Sequence, residues 1–387
     1  MRFTALSAKL LPVSEKTCWI FLCLGDDAGR MAWGEATHFG HEAEICALAQ
    51  ALGESLAARP AVGLGDLLAR VRQADMAAPR RALASALEQA ALSLQAEAAG
   101  LSLAQSLGGP FREAVPFYAN VNRGITDRSP EGFAAQAARM HGETGASGIK
   151  IAPFDGYRFE EASPSDARGL IALGLDRVAA VRAALPAGAL LMVDCHARFD
   201  GFTARQVMAE LGRIGTYWIE EPCRMEVFSP SEQRSLRAAA HAAGLRLAGA
   251  ETLADCAGMA AVLAAGGHDV VLPDLRQTGV AEGMAMLRMA AAAGVSVSLH
   301  NPVGPVLDHV STQVAAALPA FHILERQVGE SPLFHALRGA REVLAEGHVI
   351  PEPDGLAQFN ASLLHDAAPG AQAKLSFAGM AGAGPDA

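Results

Sequence analysis

At 387 residues, 51% of them hydrophobic, the chain can bury a large core and is longer than one ordinary domain of about 100 to 200 residues. Its formal net charge of −10 and pI near 5.6 argue against nucleic acid or an anionic membrane surface as a partner. An acidic protein that binds an anionic substrate must gather positive charge locally, through a metal ion or a few Lys and Arg.

Residues 1–113 read as an α+β domain. Strand-like stretches at about 2–10 and 17–24 precede WGEA, Trp33 to Ala36. The apolar run at 18–24 is too short to span a membrane, and Lys9, Glu15 and Lys16 interrupt any signal-peptide core. Six cysteines, at 18, 23, 46, 195, 223 and 256, form no CxxC pair, so a cytoplasmic protein without disulfides is expected. Leu83, Leu87, Ala91 and Leu94 are spaced as one helical face, and Gly108, Gly109 and Pro110 are expected to end that helix.

From 114 onward eight short apolar runs recur, at 114–120, 146–153, 189–195, 216–222, 246–252, 269–275, 295–301 and 322–325. Each is long enough for a buried parallel strand, and parallel strands need a crossover, usually helical, between them. Helix signals fill the gaps. Ser129 before Pro130 reads as a cap with a first-turn proline, followed by the stripe Phe133, Ala137 and Met140. Thr203 with Gln206, and Ser229 with Glu232, read as capping boxes, with Val207 and Leu211 in the first helix and Leu236 in the second. Eight such units predict a closed (β/α) barrel over 114–325, with its active site at the C-terminal strand ends. The rhythm is lost over 326–387, and the final FAGMAGAGPDA is expected to lack order.

Chemistry-bearing residues collect at those strand ends. Asp194 (LLMVDCH), Glu220 (TYWIEEP), Glu251 (RLAGAETL), Asp274 (VVLPDL) and His300 (VSLHNP) follow one another at gaps of 26, 31, 23 and 26 residues. Three carboxylates converging from neighbouring strands repel one another unless a cation lies between them, and all-oxygen ligation suits Mg²⁺. PFYANVN on the first strand carries no histidine, which counts against a zinc hydrolase barrel. Residues two apart on a strand face the same way, so His196 faces the site with Asp194, and Glu220 with Trp218. Cys195 and Glu221 point away, Glu221 as an anchor for its strand. Lys150 in GIKIAPF faces inward, whereas Ala152 offers no acid or base. Asp274 and His300 fall on adjacent strands, where a carboxylate orients the imidazole and makes it a base near neutral pH. Lys150 and Glu325 would clamp the second oxygen of a substrate carboxylate, Glu325 only if protonated. Asn120, Asn122 and Arg123 end the first strand, and Arg123 suits a distal carboxylate if the substrate is a diacid. His38 and His41 in ATHFGHE could touch the distal end of the substrate, although a solvated loop is the blander reading.

Taken in order, YANVNRG, GIKIAPFDG, LMVDCHARFD, WIEEPC, AGAETL, VLPDLRQTGV, SLHNPVGP and HILER resemble the enolase superfamily, and within it the mandelate racemase subgroup with its acid-sugar dehydratases. The resemblance covers most of residues 80–330, and WGEA and LGGP fit the family's capping domain. It implies a modified TIM barrel, (β/α)7β, over 114–325, with a capping domain at 1–113 completed by a returning segment at 326–387. It also implies Asp194, Glu220 and Glu251 as Mg²⁺ ligands, Asp274 with His300 as the dyad and Glu325 as an electrophilic acid. Lys150 matches the first lysine of the family's Lys-x-Lys, and Ala152 replaces the second. Without a base on the opposite face, racemisation loses ground to elimination of water. His196, in Asp-x-His, is similar to the residue that protonates the departing hydroxyl in galactonate-type and mannonate-type dehydratases. The expected activity is therefore Mg²⁺-dependent dehydration of an aldonate or aldarate to a 2-keto-3-deoxy acid, by a homo-oligomer. A cycloisomerase or epimerase, and a catalytically silent sugar-acid-binding barrel, are the alternatives.

Overall fold

The computed structural model describes residues 1–14, 17–73, 76–338, 344–352, 356 and 359–366; the FAGMAGAGPDA tail lies outside the described residues. Three antiparallel strands, Arg2–Ser14, Thr17–Asp26 and Met31–Glu35, open the chain as a meander, and the third includes Trp33 to Glu35 of WGEA. Strand alternation gives this sheet two buried faces. Ile20, Leu22 and Leu24 pack with Ile45 and Leu52 of the helix Glu42–Ala58 and with Leu83, Leu87 and Leu94 of the helix Ala78–Ala98. On the opposite face Leu11, Trp19 and Phe21 meet Val306, Phe334 and Leu337. A Cβ on Gly34 would overlap the Ala86 carbonyl oxygen, so the long helix lies directly on strand backbone there.

That helix ends at Ala98, earlier than Gly108 and Gly109 suggested. Gly100 turns left-handed at φ 66° and closes it, and a separate turn at Leu103–Ser106 follows, with Ser102 and Gln105 forming a capping box.

Eight parallel strands form the second unit: Val115–Asn120, Gly148–Ile151, Leu190–Asp194, Trp218–Glu220, Arg246–Gly249, Val270–Val271, Ser296–Val297 and Leu324–Gln327. Each of the first six pairs with its successor in sequence. The eighth pairs with the first, Glu325 opposite Tyr118, and Val297 O accepts from His322 N at 2.8 Å, which closes the curled sheet. Tyr118, Met192, Trp218, Ala248, Val270, Leu272 and Ile323 point inward and fill the barrel. Their neighbours Phe117, Ile149, Leu191, Val193, Ile219, Leu247 and Val271 point outward onto the helices. The backbone leaves the extended region around the ends of the middle strands: His196, two after Asp194, has φ 47°; Glu221, directly after Glu220, φ 41°; and Ala250, directly before Glu251 and just past the strand that ends at Gly249, φ 75°.

The helices after the first five strands are capped by their own chain. Ser129, Ser163, Asp200, Ser229 and Asp255 each accept a backbone N–H of the first turn. Ser129–Pro130 and the Ser229–Glu232 capping box are as expected. The Thr203–Gln206 box is not: Asp200 is the N-cap, and Thr203 N donates to its carboxylate at 2.7 Å, because the helix starts at Gly201. After the barrel, His348–Val349 runs antiparallel to the first barrel strand, and His365–Asp366 pairs with Arg2–Ser14, bringing the chain back to the N-terminal sheet.

Candidate active site

Lys150 is the hub of the strand-end cluster. Its ammonium lies 2.5 Å from Glu220, 2.9 Å from Glu325 and 3.7 Å from Asp194, with side-chain exposure of 1% or less for itself and for the two glutamates. Burial opposes its charge, but Glu220, Glu325, Tyr118 and Asp194 outweigh that and hold its pKa well above the usual lysine value. Glu325 also accepts from Asn120 Nδ2 at 2.6 Å and from Asn301 N at 3.0 Å. Glu220 accepts from Trp218 Nε1 at 3.1 Å. Burial, then Asp194, Glu325 and Glu251, push Glu220 up to about 8 against the pull of Lys150. One ammonium therefore does not balance the carboxylates around it. Asp194 contacts His196 Nε2 at 3.2 Å and accepts from His196 N, and despite burial these contacts and Lys150 hold it well below the carboxylate range.

The second cluster is built on strands six and seven. His300 Nδ1 lies 2.9 Å from Asp274 Oδ2, and His300 Nε2 lies 3.3 Å from Glu251 Oε2. Burial works against a charged ring, but Glu251, Asp274 and Glu325 raise His300 to about 9. On its other side Asp274 is gripped by Arg276, whose Nε lies 2.9 Å from Oδ2 and 3.0 Å from Oδ1, while Nη2 also donates to Oδ2. Arg276 and His300 overcome burial and keep Asp274 ionised. Such an imidazole, oriented at Nδ1 and facing Glu251 at Nε2, can take or give a proton at one fixed point.

The sequence profile of the enolase C-terminal domain-like family matches residues 132–357. The chain belongs to that family. Among curated relatives, a D-gluconate dehydratase of Thermoproteus tenax is 31% identical over 243 residues, covering 62% of this chain and 46% of the relative. A D-galactonate dehydratase of Verminephrobacter eiseniae is 27% identical over 310 residues, covering 79% and 76%. The fold matches a mandelate racemase/muconate lactonizing enzyme from Jannaschia with a TM-score of 0.78, at 20% identity and 94% and 96% coverage. It also matches a proposed L-alanine-DL-glutamate epimerase of Burkholderia xenovorans bound to magnesium and fumarate, with a TM-score of 0.77, at 19% identity and 90% and 91% coverage.

In this enolase-family barrel, Lys150, Asp194, Glu220, Glu325 and Asn120 meet around one point, and Asp274, His300 and Glu251 around another. The donor set of Asp194, Glu220 and Glu251 fits a hard divalent cation by its chemistry, three carboxylates on consecutive strand ends with more negative charge than Lys150 offsets. Among the described residues, no three His, Cys, Asp or Glu stand ready in coordinating geometry, since Glu220 is turned to Lys150 and Glu251 to His300.

The other residues expected at the site are placed as follows. Glu325 is held ionised, because Lys150 and His300 outweigh its burial, so it is an acceptor for Lys150 and two asparagines rather than a protonated acid. Arg123 lies 3.5 Å from Glu330 and 3.4 Å from Thr17 Oγ1. Asn122 Oδ1 is taken by Arg128 at 3.2 Å. His41 pairs with Glu44 at 3.5 Å and stands edge-on to His38 at 4.9 Å, and His38 feels Arg276 and Asp274 in addition to its burial, all but Asp274 lowering its pKa. Glu221 is an anchor, accepting from Ala250 N at 2.7 Å. Arg276 grips Asp274 although the sequence reading did not single it out. Arg276 stands two after Asp274, a spacing that could have flagged it.

Proposed function

We propose that the chain is a Mg²⁺-dependent acid-sugar dehydratase that converts an aldonate or aldarate to a 2-keto-3-deoxy acid. The observation that carries this reading is the single oriented base, His300 on Asp274 at 2.9 Å, with Ala152 where a second base would stand. The dehydratase names of the curated relatives support the same class. Asp194, Glu220 and Glu251 would hold the ion, which supplies positive charge to the substrate carboxylate and neutralises Glu251, whose charge keeps His300 protonated. His300 Nε2 removes the C2 proton, and Asp274 holds the ring through Nδ1. Lys150 presents an ammonium that stays charged through the step. His196 donates a proton to the C3 hydroxyl as the C3–O bond breaks, water leaves, and the resulting enol becomes the 2-keto acid.

Incubation with Mg²⁺ and a panel of mono- and diacid sugars, read for 2-keto-3-deoxy acids, tests the reading. Turnover is expected with at least one acid, and His300→Asn is expected to lower it by about 10²- to 10⁴-fold with the fold intact by circular dichroism. A product that retains the elements of water would make the chain an epimerase or cycloisomerase. Full activity in His300→Asn would remove the base assignment.

A further inference from the structure

The helices that follow strands six and seven, Val280–Ala292 and Pro305–Ala316, begin at Gly279 and Gly304, and neither has a side-chain cap of its own. The first N–H groups of a helix have no partner within it. Here the partners come from the N-terminal domain. Glu88, on the helix Ala78–Ala98, accepts from Val280 N at 2.9 Å and from Ala281 N at 3.3 Å. Glu35, the acid of WGEA, accepts from Gly304 N at 2.7 Å and from Leu307 N at 3.0 Å. Both carboxylates are buried, at 2% and 0% exposure. Each fills the space that a side chain on the glycine would need. A Cβ on Gly279 would overlap Glu88 Oε2, and one on Gly304 would stand 2.9 Å and 3.0 Å from the Glu35 oxygens.

Gly279 ends the loop that carries Asp274 and Gly304 the loop that carries His300, and hydrogen bonds tie each loop to its helix. Thr278 Oγ1 hydrogen-bonds to Asp274 O at 3.3 Å and Gly279 O at 2.8 Å, and Ser85 of the same N-terminal helix donates to Leu275 O at 2.6 Å. On the other loop, Asn301, next to His300, donates to Asp308 at 3.2 Å and accepts from Ser311 at 2.8 Å, both on the helix that Glu35 caps.

We infer that Glu35 and Glu88 are positioning residues for catalysis: from the N-terminal domain they cap the two helices behind Asp274 and His300 and so set the geometry of the dyad. The inference rests on the dyad role proposed above. A displacement of the order of 1 Å in a catalytic group lowers rates by up to about a hundredfold, which is the scale on which such a clamp acts. A glutamine at either position turns one N–H toward an amide NH₂, which cannot accept it.

The test uses the full chain with Mg²⁺ and compares Glu35→Gln, Glu88→Gln and Gly304→Ala, the last displacing the Glu35 carboxylate from the barrel side. Two quantities are read below the melting transition: kcat and KM per folded molecule, and the downfield proton NMR signal of the His300 Nδ1–H held by Asp274, assigned by its loss in His300→Asn. The expected result is a kcat about tenfold lower with KM within about twofold, and a displaced or broadened signal in all three variants. Ser229→Ala, a cap on a helix away from the dyad, should lower the melting temperature and leave both readouts alone. An unmoved signal with unchanged kcat in the variants that fold would overturn the inference and leave both glutamates as structural. A displaced signal in a protein that turns over no acid sugar would uphold the clamp and sink the dehydratase reading.

Discussion

The helices around the barrel start in two different ways. Those after strands one to five are closed by a Ser or Asp from the adjoining loop, so each β/α unit there completes itself. Those after strands six and seven start at bare glycines and are closed by Glu88 and Glu35 of another domain. Most of the Lys150 cluster belongs to the first group and is placed by strand register, Asn120 beside Lys150 and Asp194 beside Glu220, with Glu325 added from strand eight. The dyad belongs to the second. If the proposed roles hold, the proton-transfer pair would depend on the packing of the N-terminal elements in a way that the charge cluster does not.

Breaking the self-contained half has the largest effect. Lys150→Met leaves Glu220 and Glu325 buried without their ammonium, and is expected to lose about 3 to 5 kcal/mol in urea unfolding along with all turnover. His268, buried beside strand six with its pKa pushed down to about 4 by burial, gives a pH signature. The unfolded ring binds a proton below about 6.5 and the folded ring only below about 4, so stability falls as pH drops through that window, by about 3 kcal/mol in all. His268→Gln should flatten the melting temperature between those pH values; an unchanged slope would place the titration elsewhere. Arg276→Gln removes the fork on Asp274, whose freed charge raises the His300 pKa. The acid limb of the rate profile should move to higher pH, and a profile that stays in place would separate Arg276 from the dyad. The smallest effect sharpens the comparison most directly: Asp200→Ala should cost about 1 kcal/mol and Thr203→Ala much less, with kcat unchanged in both.

The sequence made the first half far easier to read than the second. Buried parallel strands appear as uninterrupted apolar runs, so the ends carrying Asp194, Glu220 and Glu251 could be counted from spacing, and period-two alternation placed Lys150 and Trp218 inside. Alternation fails where the strand stops. Arg276 reaches back to Asp274 from a short helical turn, a geometry that period two does not describe. Asp200 and Thr203 are three apart and either could begin a helix; only the observed start at Gly201 decides between them. Glu35 and Glu88 bond to backbone N–H groups of remote loops, and a backbone partner leaves no residue-type signal. The charge of Arg123 was legible, while its contact with Glu330, far along the chain, was not.

Trp218 carries a consequence for spectroscopy. The chain has three tryptophans, and Trp19 and Trp33 both lie in the N-terminal sheet. Trp218 alone sits inside the barrel, with its indole nitrogen bonded to Glu220 at 3.1 Å. With Trp19 and Trp33 replaced by phenylalanine, ultraviolet emission would come from one ring whose hydrogen-bond acceptor is a proposed ion ligand. Any cation that draws Glu220 away would announce itself as a change in colour and intensity, with no substrate needed.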